Sequence, residues 1–310
     1  MDKILFFSNK RGFGHIKRDE LIEKNLKEMD KSLDIRRAGA ISGKDTALVI
    51  SDEEFSAIAD ASEKKIPSVL ITNWFPDKRW LYSKGRPYYK YFNKAGLIIF
   101  TDIKNLVEVP SFVKPPVFFS GPIIDKSCAM HNVRRDRCTR ILVTSGKTEP
   151  VDREFFETAV AAFRKIRTKA KMVILAGGFK CKLSKYASRD MKIEKYLPDV
   201  ESLYRASDLV ITRGGHTTLW ELAFCGVPSI SVPRPFYSNP CNLGYALNME
   251  KLGTTKVVPQ DFLTASSLAY YMDNILKGKA GIKKASQAIF KEEAGKRAAS
   301  AILRYLGNCR

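Results

Sequence analysis

ITRGGHTTLWELAFCGVPSISVPRP occupies residues 211–235, and its reading decides the fold class. A buried strand closes at Thr212, Gly214 and Gly215 open a turn, a helix starts near Thr217, and the apolar run 228–232 returns as a second strand. Strand, helix and strand in so short a span is the unit from which parallel α/β sheets are built. The turn bares the backbone N–H groups of a helix N-terminus, aligned with the positive end of its dipole, and phosphate binds well there. Thr217 and Thr218 add hydroxyl donors. Glu221 lies one turn on, on the same helix face, where it can accept hydrogen bonds from a ribose diol. The plainer alternative is an ordinary glycine turn capped by threonine, with Glu221 in solvent.

Outward from this stretch the same alternation fills the chain. Apolar runs at 3–8, 46–51, 68–72 and 96–101 precede others at 140–145, 171–176, 208–212, 228–232 and 254–258. They are apolar throughout instead of alternating, as parallel strands covered on both faces must be. Helices are predicted between them at 16–29, 53–64, 153–167, 217–225 and 243–252. A chain of 310 residues is longer than one core usually serves. The stretch 107–126 carries Pro110, Pro115, Pro116, Gly121 and Pro122, so it cannot be one regular element. The expected architecture is therefore two doubly wound, Rossmann-like α/β domains facing a cleft, 1–122 and 123–282. Amphipathic helices in 283–310 are expected to pack back across them.

The chain holds 53 lysines and arginines against 33 acidic residues, a formal charge of +20 that favours a polyanionic neighbour. Apolar and charged contents are those of a globular chain and exclude a disordered or fibrous one. No apolar run reaches the length of a signal-peptide core or a membrane span, so a cytoplasmic protein is expected. Six cysteines without a CxxC pair and three histidines, His15, His131 and His216, leave little material for a disulfide framework or a zinc site. Ser51-Asp52-Glu53-Glu54 reads as a capping box for the helix predicted at 53–64 and less well as a metal-holding cluster.

Two further features carry chemistry. The turn NKRGFGH, between the first strand and first helix, sets Gly14 and His15 at a helix N-terminus, which depresses imidazolium and leaves His15 neutral near pH 7. A capping histidine without chemistry is the alternative. Residues 77–96, DKRWLYSKGRPYYKYFNKAG, interleave aromatic and basic side chains. With Trp74, the residues Lys78, Arg79, Trp80, Lys84, Arg86 and Tyr88 suit a membrane or acceptor surface. The same mixture suits single-stranded nucleic acid, or a solvated face over an aromatic core.

Arg-Gly-Gly-His-Thr-Thr-x-x-Glu-Leu from Arg213, then Gly226, Pro228, the region of Pro233, Asn242 and Leu252-Gly253, resembles the nucleotide-sugar signature of GT-B glycosyltransferases. The resemblance is to the MurG-like peptidoglycan N-acetylglucosaminyltransferases of family 28 type and their archaeal relatives. It implies that Arg213, Gly214, Gly215, His216, Thr217 and Thr218 hold a donor diphosphate and Glu221 the ribose. It places Asn239 and Asn242 near the donor sugar, Tyr196 and Leu197 at the uracil edge, and Ser145-Gly146 in a second glycine loop. Gly-x-Gly-His in the first domain becomes the site of the catalytic base, His15. The implied function is transfer of a sugar, N-acetylglucosamine among the candidates, from a UDP-sugar to a hydroxyl or lipid-phosphate-linked acceptor. Inversion, no metal and no cofactor beyond the donor are expected, at the cytoplasmic face of an anionic membrane, with nucleic acid not an expected partner. A UDP-sugar hydrolase on the same fold, or a non-catalytic basic protein binding membrane or RNA, are the rival readings.

Overall fold

A computed structural model describes residues 2–9, 13–42, 45–75, 89–124, 126, 138–146, 152–177, 180–195, 197, 200–234, 240–278, 281–282, 287–290 and 293–309. The chain divides into two compact units, Met1–Ile124 with Ala288–Arg310, and Asp125–Gln287. The division falls after Ile124, just beyond the expected Pro122, and the C-terminal helix belongs to the first unit.

In unit 1 a parallel sheet runs in the order β2-β1-β3-β4-β5-β6. Its strands are β1 (Lys3–Ser8), β2 (Asp34–Arg37), β3 (Thr46–Asp52), β4 (Ser68–Thr72), β5 (Leu97–Phe100) and β6 (Val117–Phe119). Helices α1 (Phe13–Met29) and α2 (Phe55–Glu63) follow β1 and β3. In unit 2 the parallel order is β12-β11-β10-β7-β8-β9. The strands are β7 (Thr139–Thr144), β8 (Ala170–Leu175), β9 (Met191–Glu194), β10 (Leu209–Thr212), β11 (Ser229–Ser231) and β12 (Thr255–Val257). Its helices include α3 (Asp152–Phe163), α4 (Val200–Ala206), α5 (His216–Cys225), α6 (Pro240–Lys251) and α7 (Ala265–Leu276). In each sheet the first strand of the chain is flanked on both sides by later ones. The order therefore reverses between β1 and β3 in one unit and between β7 and β10 in the other. Doubly wound sheets bind ligands beyond the carboxyl ends of the strands at such a reversal.

Three strands lie outside the sequence expectations: β2, β6 and β9. All three are sheet edges, and their residues show why. Asp-Ile-Arg-Arg in β2 is half open to solvent, and Met-Lys-Ile-Glu in β9 alternates buried with open positions. In β2 and β9 the single neighbour and incomplete cover of an edge leave no apolar run, whereas Val-Phe-Phe of β6 is apolar but only three residues long and directly follows Pro115 and Pro116. The capping box expected at Ser51 is a correction. Ser51 Oγ instead donates to the Glu54 carbonyl at 2.9 Å, and Glu54 caps α2 without a side-chain bond. A true box stands before α7, where Thr264 Oγ1 accepts from Ser267 N at 3.0 Å.

The core of unit 1 lies between the sheet and two helices, α1 and α8 (Ala294–Asn308). Helix α8 presents Ala294, Gly295, Ala298, Ala299 and Ala301, small enough for α1 to approach closely, and then Ile302 and Leu306. Burying each of the larger two contributes about 1.5–3 kcal/mol. Gly96 is required at its place because a β-carbon there would overlap the Tyr305 hydroxyl of α8. Trp74, expected on an exposed surface, instead packs edge-on against Phe55 at 5.9 Å and Phe92 at 5.7 Å. Its indole is half-buried in that aromatic cluster. The surface residues Lys78, Arg79, Trp80, Lys84, Arg86 and Tyr88 lie outside the described residues. Among the described residues no helix is long and apolar enough to cross a membrane.

Candidate active site

In unit 1 the order reversal is lined by polar groups at helical and strand spacing. Helix α1 begins at Phe13, so Gly14 and His15 lie in its first turn. Arg18, Asp19, Ile22 and Leu26 continue the His15 side of that helix inward, and all four are buried. The stripe is polar at its N-terminal end and apolar beyond. Ser8, the last residue of β1, pairs with Asp52, the last of β3. The carboxylate of Asp52 is thereby delivered to the first turn of α1.

Asp52 is fully buried and is bonded by Arg18, His15 and Asp19. Arg18 Nη2 donates to its Oδ1, Arg18 Nε to its Oδ2 at 3.2 Å, and His15 Nδ1 lies 3.0 Å from Oδ2. Arg18 Nη1 reaches Thr101 Oγ1 at 3.0 Å. Burial alone would raise the Asp52 carboxyl, but Arg18 and His15 outweigh it and hold the group ionised well below the usual carboxylate range. Arg18 Nη2 also lies 2.9 Å from His15 Nδ1, and that nitrogen cannot both donate to Asp52 and accept from Arg18. The buried carboxylate is the stronger partner, so Nδ1 carries hydrogen and the lone pair of neutral His15 sits on Nε2.

Burial lowers the His15 pKa, yet the charge and hydrogen bond of Asp52, with Glu53 adding, more than offset burial and Arg18. The net direction is upward from 6.5. The expectation from sequence was the reverse, because the helix end was visible and Asp52 was not. Asp19 is buried in the same cluster and faces the opposite fate. Burial and the neighbouring Asp52 push its carboxyl up to about 9, against the opposing Arg18 charge and a hydrogen bond from Ser8, and Arg37 Nη1 lies 3.5 Å away. One carboxyl of this pair is ionised and the other holds a proton.

Unit 2 has its own constellation at the β7–β10 reversal. Thr212 pairs with Thr144 on one side and Ser231 on the other, so three turns open side by side. Gly214 has a φ of +72°, and a β-carbon on it would run into Ser231 Oγ. Glycine is required on both counts. Gly215 is the N-cap of α5, and His216, Thr217 and Thr218 form the first turn. His216 is buried with its ring edge-on to Tyr245 at 5.2 Å. Glu221 is buried, 4% exposed, which removes the solvated alternative. Burial pushes the Tyr204 phenol of α4 upward, the charge of Glu221 adds to that, and a hydrogen bond with Thr218 opposes it. Ser145, next after β7, has its hydroxyl buried with no hydrogen-bond partner among the described residues. Gly146 follows at a φ of +67°.

Arg213 precedes this turn but its guanidinium points into the unit, 1% exposed. Nε donates to Asp152 Oδ1 at 2.7 Å, Nη1 to the Val232 carbonyl at 3.3 Å, and the group lies 4.6 Å over the Phe155 ring. Arg234 bonds the same carboxylate, Nη2 to Oδ2 at 2.7 Å and Nε to Oδ1 at 3.2 Å. Two guanidiniums on one carboxylate leave a net positive charge behind the glycine turn. Leu197 packs its side chain against the cluster of Leu142, Tyr204, Val210 and Leu222. Asn242 falls in the first turns of α6, and Tyr196 and Asn239 lie outside the described residues. Sequence reading missed Arg18, Asp19, Asp152 and Arg234, and read Asp52 as part of a helix cap or metal-holding cluster instead of the partner of His15. For the first two a signal existed: charged residues on the same helical stripe as Ile22 and Leu26. The others are joined to their partners only across the sheet.

The sequence pattern of the glycosyltransferase family 28 C-terminal domain matches residues 140–302, more than half of the chain. An uncharacterized glycosyltransferase of Methanosarcina acetivorans is 24% identical over 81% of this chain and 72% of its own length. The UDP-N-acetylglucosamine–N-acetylmuramyl-(pentapeptide) pyrophosphoryl-undecaprenol N-acetylglucosamine transferase of Lactobacillus helveticus is 30% identical over 32% of this chain. That match spans only 27% of the Lactobacillus enzyme. The crystal structure of Acinetobacter baumannii MurG superposes with a TM-score of 0.67 at 14% identity, covering 98% of this chain and 100% of MurG, a likeness of GT-B fold. With the β7–β10 reversal, its glycine turn and the match over residues 140–302 in agreement, the chain belongs to glycosyltransferase family 28.

Proposed function

We propose that the chain transfers a sugar from a UDP-sugar, N-acetylglucosamine being the first candidate, to an acceptor hydroxyl in one inverting displacement without a metal. The observation that carries the reading is the His15–Asp52 pair at 3.0 Å, which orients an imidazole with its Nε2 lone pair available as a base. The acceptor hydroxyl gives its proton to Nε2 while its oxygen displaces UDP from the anomeric carbon. The departing diphosphate takes its stabilisation from the N–H groups at the start of α5 and from the buried excess charge of Arg213 and Arg234 over Asp152. Glu221 binds the ribose diol, and the buried Ser145 hydroxyl is a donor toward the diphosphate. The names of the Lactobacillus and other relatives support the donor, and a lipid-phosphate-linked acceptor is the corresponding choice for this chain.

A thermal-shift screen of nucleotides and nucleotide-sugars tests the reading. UDP at 100 times its dissociation constant should add about 2.7 kcal/mol of stability. Glu221→Ala should weaken UDP by about 1–3 kcal/mol in calorimetry, and turnover should survive EDTA. No stabilisation by any uridine nucleotide, or abolition by EDTA with rescue by a divalent ion, would overturn it.

A further inference from the structure

Glu53 follows Asp52 and has a φ of +57°, a left-handed conformation that residues with a β-carbon adopt at an energetic cost. The turn it makes delivers a second carboxylate to His15. Thr72 Oγ1 lies 3.0 Å from Glu53 Oε1 and 3.2 Å from the Trp74 carbonyl, and its one hydrogen goes to the nearer, charged acceptor, while Oε2 stands 3.9 Å from His15 Nε2. The Glu53 side chain is 10% exposed and that of His15 20%, so both remain open to a ligand. With Nδ1 committed to Asp52 and Oε1 to Thr72, Nε2 and Oε2 are two hydrogen-bond acceptors side by side, too far apart to bond each other through one hydrogen.

A single hydroxyl has one hydrogen and can serve only one of these acceptors. Two hydroxyls on neighbouring carbons serve both, since gauche oxygens lie near hydrogen-bond separation and each reaches its own acceptor at about 2.8 Å. We infer that Glu53 is an acceptor-recognition residue and that the acceptor presents a vicinal diol, as a sugar ring does. The inference rests on the reading of His15 as the base. The reacting hydroxyl gives its proton to Nε2, its oxygen bonds the anomeric carbon, and the bonding pair of the broken C–O bond leaves on UDP. Glu53 accepts from the neighbouring hydroxyl, fixes which of the two oxygens reacts, and exchanges no proton. The strained backbone at Glu53 is the local cost of that placement.

The chain has three histidines, so ring NMR signals of the full-length protein are few, and His15→Asn identifies the one from His15. The probes are trans-cyclohexane-1,2-diol and cyclohexanol, which differ only in the neighbouring hydroxyl. The diol should shift the His15 signal saturably and cyclohexanol should not. Glu53→Gln should weaken the diol several-fold, whereas Glu53→Gly should abolish the response while raising Tm, because glycine relieves the positive φ. Equal responses to the two alcohols, no saturable response, or a diol response that survives Glu53→Gly each overturn the inference. Turnover of His15→Ala tests the base separately, so a failure of either claim is seen on its own.

Discussion

At the residue scale the cluster around Asp52 separates two acids and one base by their partners. Asp52 has Arg18 and His15 and stays ionised, and Asp19, buried beside it, keeps its proton. His15 must be neutral to accept a proton, and its folded pKa lies above 6.5, so kcat/KM should rise with pH through a limb above that value. His15→Ala should lower turnover by roughly 100-fold or more and leave UDP affinity unchanged. A turnover within a few-fold of wild type makes His15 a helix cap. The raised Asp19 carboxyl carries an opposite lesson for stability. Unfolded, the group loses its proton near 3.8, and folded it holds it to about 9, so the folded state binds more protons between these values. Its contribution is then greatest below the unfolded value and falls as pH rises toward 9. Asp19→Asn should flatten that fall, raising stability at pH 8 relative to pH 5. Parallel stability–pH curves for the two proteins, from denaturant titration, would refute it.

At the scale of elements the β10–α5 turn joins backbone geometry to the proposed donor site. Its glycine is needed for a positive φ and for clearance of Ser231 Oγ, and these can be told apart. Gly214→Ala should lower Tm and UDP affinity together, the left-handed backbone alone costing about 1–2 kcal/mol. Adding Ser231→Ala removes the overlap but not the φ, so the double variant should recover only part of the loss. Full recovery, measured by calorimetry and thermal melting, would mean that contact and not backbone conformation sets the requirement. Helix α1 shows the same economy in another form. One face carries the proposed base His15 with Arg18 and, further along, the core residues Ile22 and Leu26, so the core positions the candidate site.

At the scale of the whole molecule the informative quantities are charge and chain path. A formal charge of +20 over 310 residues gives a field that anionic surfaces answer. The protein should sediment with anionic vesicles and not with neutral ones, each lysine or arginine near the surface adding about 1 kcal/mol, and should be released as salt rises. Trp80→Ala and Tyr88→Ala should leave less binding at high salt. Preference for single-stranded RNA when both are offered would sink the membrane reading. The chain path closes unit 1 with its last helix. Residues 1–124 have the sheet, and α8, which begins 170 residues later at Ala294, supplies Ile302 and Leu306 to the same core.

What the sequence by itself determined is what short-range constraint can write. Central parallel strands are covered on both faces and must be apolar runs. Gly214 and Gly215 mark a turn between a strand and a helix, and a turn after the first strand sets His15 at the start of a helix. These features need only neighbours along the chain. The tertiary structure alone decided the pairing of His15 with Asp52, 37 residues away, and of Asp152 with Arg213 and Arg234, 61 and 82 residues away. It alone joined the edge strands β2, β6 and β9 to their sheets and α8 to unit 1. The reason is that a buried charge is stable only beside its partner, and a sheet brings partners together through the order of its strands, which no local run of residues encodes. Hence Asp52 and Glu53, read along the chain, look like a helix cap, while in the fold they bracket the two nitrogens of His15.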